Sequence, residues 1–233
     1  MKIKGLIKTT LIDYPGHIAC TLFLYGCNFK CGFCHNPELV LGESTPDLKQ
    51  EEVLDFLQRR KKYLEGVCIT GGEPLLTIEK SFLEKIKKMG YKIKIDTNGA
   101  MPEKLKELVQ EGLVDFVAMD IKSSREKYSE VCGVDVSLDK IEESIRIIVD
   151  LPEYEFRTTI VPGIHSGEEV LKMAEWVNNV AKKTPKRYAL QGFKVEEKIL
   201  NPEFKNKKNT QEEELEKIKE VINDSFEDIE IRV

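Results

Sequence analysis

The feature that most constrains the fold is a repeat: a short run of β-branched or aromatic residues, then a turn, then a stretch with helical apolar spacing. The runs are typical of strands, and apolar residues three and four positions apart are typical of amphipathic helices. The predicted strands span 18–25, 65–70, 91–96, 114–121, 155–161 and 187–193. Such regular alternation predicts an α/β fold with a parallel sheet and right-handed crossovers.

Helix signals lie between these strands. Apolar residues recur at helical intervals at Leu138, Ile141, Ile145 and Ile148, and again at Val170, Ala174, Val177 and Ala181. Thr45-Pro46 and Met101-Pro102 predict helix starts, because proline fits the first helical turn. A helix over about 211–225 and a strand in IEIRV are expected to close the chain. With no Ser/Gly-rich linker, we predict one domain, 1–233, with its core at about 16–195 and a C-terminal helix and strand at about 210–233.

Composition excludes several classes of protein. Hydrophobic residues make up 41% of the chain and charged residues 33%, with a net charge of -5, which indicates a globular protein with a full core. The basic runs at 59–62 and 205–208 stand among acidic neighbours, so they indicate solvated faces rather than a nucleic-acid surface. No apolar run reaches the roughly 18 residues of a membrane span. We therefore expect a cytoplasmic protein with neither nucleic acid nor membrane as a partner.

The chemically conspicuous residues follow the predicted strands. The carboxyl ends of parallel strands share one edge of a sheet, where loops carry function. In chain order, the strands are followed by a cysteine cluster, GGEP (71–74), DTNG (96–99), MDIK (119–122), VPG (161–163) and LQGF (190–193). This coincidence predicts a large site at the open mouth of the fold.

Three of the six cysteines, Cys27, Cys31 and Cys34, lie within eight positions. In a reducing compartment, a clustered trio indicates metal binding or catalysis rather than disulfides. Soft thiolates suit iron–sulfur clusters and zinc. A [4Fe–4S] cluster held by three cysteines leaves one iron free for a substrate or cofactor. Zinc would need a fourth ligand, which His35 is poorly placed to supply beside Cys34.

The remaining cysteines are isolated in sequence. Cys20 and Cys68 lie in predicted strands, where a small apolar filler is the ordinary role. Cys132 lies in a predicted loop near the mouth, and a structural role is favoured for it too. Trp176 is expected in the core, because it shares the apolar spacing of its helix.

The C-x₃-C-x₂-C motif, with Phe33 before its last cysteine and GGEP after the next strand, resembles the radical S-adenosylmethionine (SAM) superfamily. LIDYPGHIACTLFLYGCNFKCGFCHNPEL (11–39), with DTNG, MDIK and LQGF, is similar to glycyl-radical-enzyme activating enzymes, most of all those of anaerobic ribonucleoside-triphosphate reductase. The resemblance implies a partial (β/α)₆ TIM-like barrel. It also implies a [4Fe–4S] cluster on Cys27, Cys31 and Cys34, with SAM chelated to the fourth iron.

The implied function is that of an anaerobic oxidoreductase. It would reductively cleave SAM to a 5′-deoxyadenosyl radical and generate a glycyl radical on a partner enzyme, with a flavodoxin- or ferredoxin-type protein as electron donor. Two alternatives stay open. One is a radical SAM enzyme acting on a small molecule or another polypeptide; the other is a zinc-stabilised module without enzymatic activity.

The resemblance further implies a set of SAM-binding residues. Gly71 and Gly72 would allow close backbone approach, and Glu73 would lie near the SAM ammonium. Asp96 and Asp120 would repel each other unless each meets a cation or donors, and in related enzymes such aspartates help hold a monovalent cation beside SAM. His35 and Asn36 are candidates for hydrogen bonds that tune the cluster. The set expected around SAM, beyond which no catalytic residue is assigned, is Phe33, Gly71, Gly72, Glu73, Asp96, Asn98, Asp120, Lys122 and Gln191.

Overall fold

A computed structural model describes residues 1–42 and 46–233. Within these ranges the strands are β1 Ile3–Thr10, β2 Ala19–Leu24, β3 Gly66–Gly71, β4 Lys92–Thr97, β5 Phe116–Asp120, β6 Tyr154–Ile160, β7 Arg187–Gly192 and β8 Asp228–Arg232. The helices are α1 Pro37–Leu41, α2 Gln50–Arg60, α3 Lys80–Lys88, α4 Pro102–Gln110, α5 Tyr128–Cys132, α6 Leu138–Ile148, α7 Gly167–Ala181 and α8 Glu212–Ile222. Short 3₁₀ turns span Pro74–Leu76, Pro202–Asn206 and Asn223–Ser225.

The described strands form a sheet in chain order, from β1 to β8. Pairing is parallel between β2 and β3, β3 and β4, β6 and β7, and β7 and β8. The six strands predicted from the alternation are all present, as are the closing helix and strand. The predicted α/β class with parallel strands is therefore confirmed.

β1 lies outside the predicted set. It pairs antiparallel with β2, and its register shifts between Ile3 and Gly5 and again between Ile7 and Thr10. Ile3 is buried whereas Ile7 is 45% exposed, so apolar side chains do not mark one face consistently. An irregular strand of this kind carries little of the period-two signal that identifies strands in sequence.

The two proline signals have different outcomes. α4 begins at Pro102, as predicted. Thr45 lies outside the described residues, and α2 begins at Gln50 rather than at Pro46, so that prediction is wrong. Leu48 instead forms an isolated antiparallel bridge with Ile3, and its N–H donates to the Ile3 carbonyl. This pairing holds the segment extended and delays the helix.

The chain divides into two compact units. Unit 1 comprises Met1–Asn28, Glu38–Thr97 and Glu103–Val117, and unit 2 comprises Phe29–Pro37, Asn98–Pro102 and Ala118–Val233. The core of unit 1 includes Leu22, Leu24, Ile69, Ile93, Ile95, Leu57 and Phe82, all fully buried. That of unit 2 includes Ile141, Ile145, Phe156, Val170, Ala174, Val177 and Leu190, also fully buried. The single domain expected from sequence stays a prediction.

The helical apolar pattern identified correct core faces. Ile141, Ile145 and Ile148 of α6 are fully buried. Trp176 is 8% exposed, as expected, and its indole N–H donates to Glu142 Oε1 at 3.1 Å. Among residues 1–42 and 46–233, no helix is both long and apolar enough to cross a membrane.

Candidate functional site

In unit 1, the turn that follows β3 is shaped by the absence of side chains. The Gly72 N–H donates to the Leu24 carbonyl at 2.9 Å, and the Glu73 N–H donates to the Gly26 carbonyl at 2.7 Å. A Cβ on Gly72 would stand 2.0 Å from the Gly26 oxygen and 3.2 Å from Cys27 Cβ. Gly71 has φ +123°, and a Cβ there would stand 2.4 Å from Leu24 backbone atoms. Only glycine fits this close approach, which joins the GGEP loop to the chain that leads into Cys27.

Glu73 is fully buried in the same loop. Its Oε1 accepts hydrogen bonds from the Leu75 N–H at 3.1 Å and from Thr97 Oγ1 at 2.9 Å. The carboxylate thus caps the 3₁₀ turn at Pro74–Leu76 and ties the loop to the end of β4. Its predicted contact with the SAM ammonium stays a prediction.

Asp96, near the end of β4, meets a cation within unit 1. Lys94 Nζ lies 2.5 Å from Asp96 Oδ1, and the two side chains are 2% and 11% exposed. Lys94 was not among the predicted site residues. The sequence carried no clear signal of its burial, because KIKIDT alternates charged and apolar residues as a half-exposed strand does.

In unit 2, the cysteine loop (residues 29–37) turns tightly and is held by a second segment. The Cys34 N–H donates to the Cys31 carbonyl at 3.0 Å, and the Asn36 N–H donates to Cys34 Sγ at 3.4 Å. The holding segment, residues 193–207, is called the strap. In the strap, the N–H groups of Leu200 and Asn201 donate to the carbonyls of Cys34 and Gly32, at 3.0 and 2.9 Å.

Side chains reinforce the same attachment. A Cβ on Gly32 would stand 2.7 Å from the Phe204 ring, so the strap lies directly against the loop. The His35 ring stacks on Phe193 with centroids 5.5 Å apart, and His35 Nε2 donates to the Lys194 carbonyl at 2.8 Å. In unit 2, therefore, His35 bonds to the strap, and the backbone N–H of Asn36 donates to Cys34 Sγ.

Cys132 lies at the end of α5, next to the cysteine loop. Its carbonyl accepts from the Lys30 N–H at 2.8 Å. A hydrogen bond from Cys132 is the largest cause that lowers the pKa of Cys31 to about 7; burial opposes it, and the charge of Lys122 adds to it. Burial raises the pKa of Cys34. The sequence predicted a structural role for Cys132 in a loop; the structure places it in a helix and beside Cys31.

These donors fit the group that the resemblance implies. Iron–sulfur clusters take thiolates, and hydrogen bonds to sulfur together with nearby positive charge favour that state. In unit 2, Cys31 has both, from Cys132 and Lys122, and its pKa is lowered. Cys34 has both, from Asn36 and Lys122, but burial outweighs them and raises its pKa. Their assignment with Cys27 as cluster ligands stays a proposal.

Asp120 and Lys122, at the exit of β5, form a charged group with Arg157 of β6. Asp120 Oδ1 lies 2.5 Å from Arg157 Nε, and Asp120 Oδ2 lies 2.9 Å from Lys122 Nζ. Burial works to raise the pKa of Asp120, but the charges of Arg157 and Lys122 outweigh it and hold that pKa well below its ordinary value. Burial likewise works to lower the pKa of Lys122, and Asp120 keeps it raised. Arg157 was missed, although a lone arginine in EFRTTIV is a detectable signal.

His165, which had no assigned role, bridges two turns of unit 2. It is 1% exposed, accepts at Nδ1 from the Val161 N–H at 3.0 Å, and donates from Nε2 to the Lys122 carbonyl at 2.9 Å. Burial lowers its pKa to about 4, so the ring is neutral. The Phe33 ring packs edge-on against it, with centroids 6.4 Å apart.

The remaining predicted SAM contacts lie in unit 2. Asn98 is 6% exposed, and its Oδ1 accepts from the Ala100 N–H at 3.0 Å within its own turn. Gln191, near the end of β7, pairs in register with Thr159 and Arg232. Of the predicted set, unit 1 contains Cys27, Gly71, Gly72, Glu73 and Asp96, and unit 2 contains Cys31, Phe33, Cys34, Asn98, Asp120, Lys122 and Gln191.

Comparison with known proteins identifies the family of this chain. The sequence model of the Radical SAM superfamily matches residues 21–177. A Methanocaldococcus jannaschii protein provisionally named a glycyl-radical enzyme activating enzyme is 33% identical, over 99% of this chain and 95% of its own length. The pyruvate formate-lyase-activating enzyme of Clostridium pasteurianum is 34% identical over 52% of each chain.

Among solved structures, a domain of a pyruvate-formate lyase-activating enzyme from Bacteroides vulgatus superposes with a TM-score of 0.57 at 22% identity. The match covers 72% of this chain and 99% of that domain. It confirms the partial barrel of the radical SAM type. The cofactors of this superfamily are a [4Fe–4S] cluster and SAM, as predicted, and the monovalent cation stays a prediction. The chain belongs to the radical SAM superfamily and, within it, to the glycyl-radical enzyme activating enzymes.

Proposed function

We propose that this protein generates a glycyl radical on anaerobic ribonucleoside-triphosphate reductase. One observation carries most of the proposal: the GGEP loop is bonded to the backbone of Leu24 and Gly26 so closely that neither Gly71 nor Gly72 has room for a side chain. Both glycines are nevertheless partly exposed, beside the backbone that leads into Cys27. This arrangement suits a loop that presents main-chain atoms to a nucleotide cosubstrate next to a metal ligand.

When bound, the cluster and SAM would supply the radical chemistry: one electron from the donor protein would split SAM into methionine and a 5′-deoxyadenosyl radical, which would take a hydrogen atom from a glycine Cα of the partner. The residues of the chain bind and orient. Cys27, Cys31 and Cys34 hold the cluster as thiolates. The Asn36 N–H and the charge of Lys122 stabilise negative charge on Cys34.

The proposed SAM contacts divide by chemistry. Gly71, Gly72 and Glu73 face its methionine part, and Asp96, Asn98, Asp120, Lys122 and Gln191 provide polar contacts. Phe33, 6% exposed and packed against His165, lies at the adenine edge. In this assignment the neutral His165 orients the Lys122 turn through its bond to the Lys122 carbonyl. Exclusion of water from the radical is the remaining task of the protein.

The proposal also names the partner enzyme that receives the glycyl radical. The motifs between Leu11 and Leu39 resemble the activating enzymes of anaerobic ribonucleoside-triphosphate reductase, whereas several relatives are named for pyruvate formate-lyase. We therefore treat pyruvate formate-lyase as the competing partner. A flavodoxin- or ferredoxin-type protein in the reducing cytoplasm would supply the electron.

The deciding experiment is anaerobic reconstitution with iron, sulfide, reductant and SAM, followed by incubation with each candidate partner. Electron paramagnetic resonance should detect a glycyl radical on the reductase and none on a variant whose radical glycine is replaced by alanine. A signal only on pyruvate formate-lyase would reassign the partner. SAM cleavage with a radical on neither would favour the alternative of a small-molecule or different polypeptide substrate.

A further inference from the structure

Lys94 places a buried ammonium group in the interior of unit 1. It lies on β4, two positions before Asp96, so both side chains point to the same face of the strand. Lys94 is 2% exposed and its Nζ lies 2.5 Å from Asp96 Oδ1. A charged ammonium is expensive to bury unless a partner compensates it. Lys94 and Asp96 therefore form a buried ion pair rather than a solvated surface contact.

Neighbouring residues fix the position of the ammonium. Nζ lies 3.9 Å from Cys68 Sγ on β3, where Cys68 and Lys94 are paired in register. It also lies 5.8 Å from the centroid of the Phe116 ring, where the π face adds an electrostatic attraction. Lys92, on the same strand and face, offers a contrast: it is exposed and contacts His17 Nε2 at 3.1 Å.

The pair bears on the monovalent cation that the resemblance implies beside SAM. Such an ion is held by oxygens whose negative charge has not been neutralised by other groups. Asp96 already has the Lys94 ammonium, and in unit 2 Asp120 already has Arg157 and Lys122. Adding another cation beside these ammonium and guanidinium groups would be repulsive. Asp96 and Asp120, the two aspartates expected to hold the ion, therefore do not fit it.

We propose that Lys94 is a positioning residue that neutralises and orients Asp96, so that this protein binds SAM without a monovalent cation. The part concerning SAM rests on the proposed function. The part concerning the cation rests on the ion pairs of Asp96 and Asp120 alone.

The first test compares wild-type protein in sodium, potassium and tetramethylammonium chloride at equal ionic strength. Sodium NMR of the apoprotein should show no saturable line broadening, and the reconstituted protein should bind SAM with a dissociation constant that changes by less than about twofold between salts. Saturable sodium binding, or SAM affinity that rises about tenfold in sodium or potassium over tetramethylammonium, would overturn the proposal. Neither measurement depends on a variant.

The second test uses Lys94→Met, with Lys92→Met as the matched control on the same strand and face. Lys94→Met should weaken SAM binding by about tenfold or more in tetramethylammonium, and sodium or potassium should restore part of it. Lys92→Met should behave like wild type in every salt. Wild-type affinity of Lys94→Met in tetramethylammonium would contradict the positioning role.

If Lys94→Met does not fold, Lys94→Arg keeps the charge and should retain SAM binding without cation dependence; dependence in this variant would count against the proposal. The two failures can be told apart. If no form of the protein binds SAM in any salt, the proposed function is wrong, while sodium NMR of the apoprotein still decides whether Lys94 excludes the ion.

Discussion

The GGEP loop of unit 1 and the cysteine loop of unit 2 are built on opposite principles. The GGEP loop is held by backbone bonds from Gly72 and Glu73 to the end of β2, in a space that excludes any Cβ. The cysteine loop is held from outside by the strap, through two backbone bonds and the Phe204 and Phe193 rings. The first arrangement leaves no room for a side chain at Gly71 or Gly72, whereas the second depends on many separate contacts. We therefore expect a single substitution to cause a large loss of stability and binding in the first loop and a partial loss in the second. The proposed metal ligands themselves are the exception.

The largest effect is expected at a proposed ligand of the cysteine loop. Cys31→Ala should abolish both cluster binding and SAM cleavage, because two thiolates hold the cluster poorly. Iron and sulfide content and the production of 5′-deoxyadenosine measure the two losses. Cys20→Ala, a fully buried cysteine of β2, is the control and should keep its cluster. SAM cleavage by Cys31→Ala at the wild-type rate would contradict the ligand assignment.

The next largest effect is expected in the GGEP loop. Gly72→Ala would force its methyl group against the Gly26 carbonyl, 2.0 Å away, and against Cys27 Cβ. We expect a loss of about 3 kcal/mol in the free energy of unfolding. Because Cys27 must move, iron content should fall together with SAM affinity, which denaturant unfolding, iron analysis and SAM titration can measure.

Gly167→Ala is the matched control for Gly72→Ala. This glycine opens α7, and among the described residues a Cβ there would meet only Val221, at an ordinary 3.7 Å. The variant should unfold within about 1 kcal/mol of wild type. An equally mild result for Gly72→Ala would remove the distinction between the two loops.

The stability of unit 2 should depend on pH through His165. His165 has a pKa of about 4 in the folded protein, against an ordinary 6.5, so below pH 6.5 the unfolded chain takes up a proton that the folded chain refuses. Its contribution to stability is full above pH 6.5, falls as the pH drops towards 4, and amounts to about 3 kcal/mol in all. Glu169, Lys122 and Lys127 are the charged groups that act on it.

The measurement is urea unfolding at pH 7 and pH 5 for wild type and His165→Gln. For each protein we compare the free energy of unfolding at the two pH values. The carboxylates that titrate in both proteins cancel in the difference, which leaves the contribution of His165. The variant should lose less stability on acidification. An identical loss of unfolding free energy in the two proteins would mean that His165 does not contribute to the pH dependence.

The smallest effect is expected where the strap packs against the cysteine loop. Phe204→Ala removes a half-buried ring that touches Gly32 and Phe33, so we expect about 2 kcal/mol of lost stability and faster loss of iron to a chelator. The backbone bonds of Leu200 and Asn201 should persist, which would leave SAM cleavage measurable. Tyr63→Ala, at a 65% exposed aromatic, is the control. Complete loss of the cluster in Phe204→Ala would show that the strap's hold is not graded.

Much of this could be predicted from the sequence, because the relevant signals are local. Runs of β-branched and aromatic residues located β2 to β8, and helical spacing located the core faces of α6 and α7. The spacing of Cys27, Cys31 and Cys34 and the GGEP run identified the superfamily that the comparisons found. β1 escaped because its bulged register carries no regular period, and the start of α2 was misplaced because Leu48 pairs with Ile3.

The amino-acid sequence by itself therefore determined the α/β alternation, the cysteine motif and the family, since each depends on residues close together along the chain. Only the tertiary structure decided which groups meet: Cys132 beside Cys31, Arg157 beside Asp120, and the strap against the cysteine loop. Even Lys94 and Asp96, two positions apart, became a buried ion pair only because the packing of β4 excludes water. Partners far apart in sequence are chosen by packing and desolvation, and neither leaves a periodic trace in the order of residues.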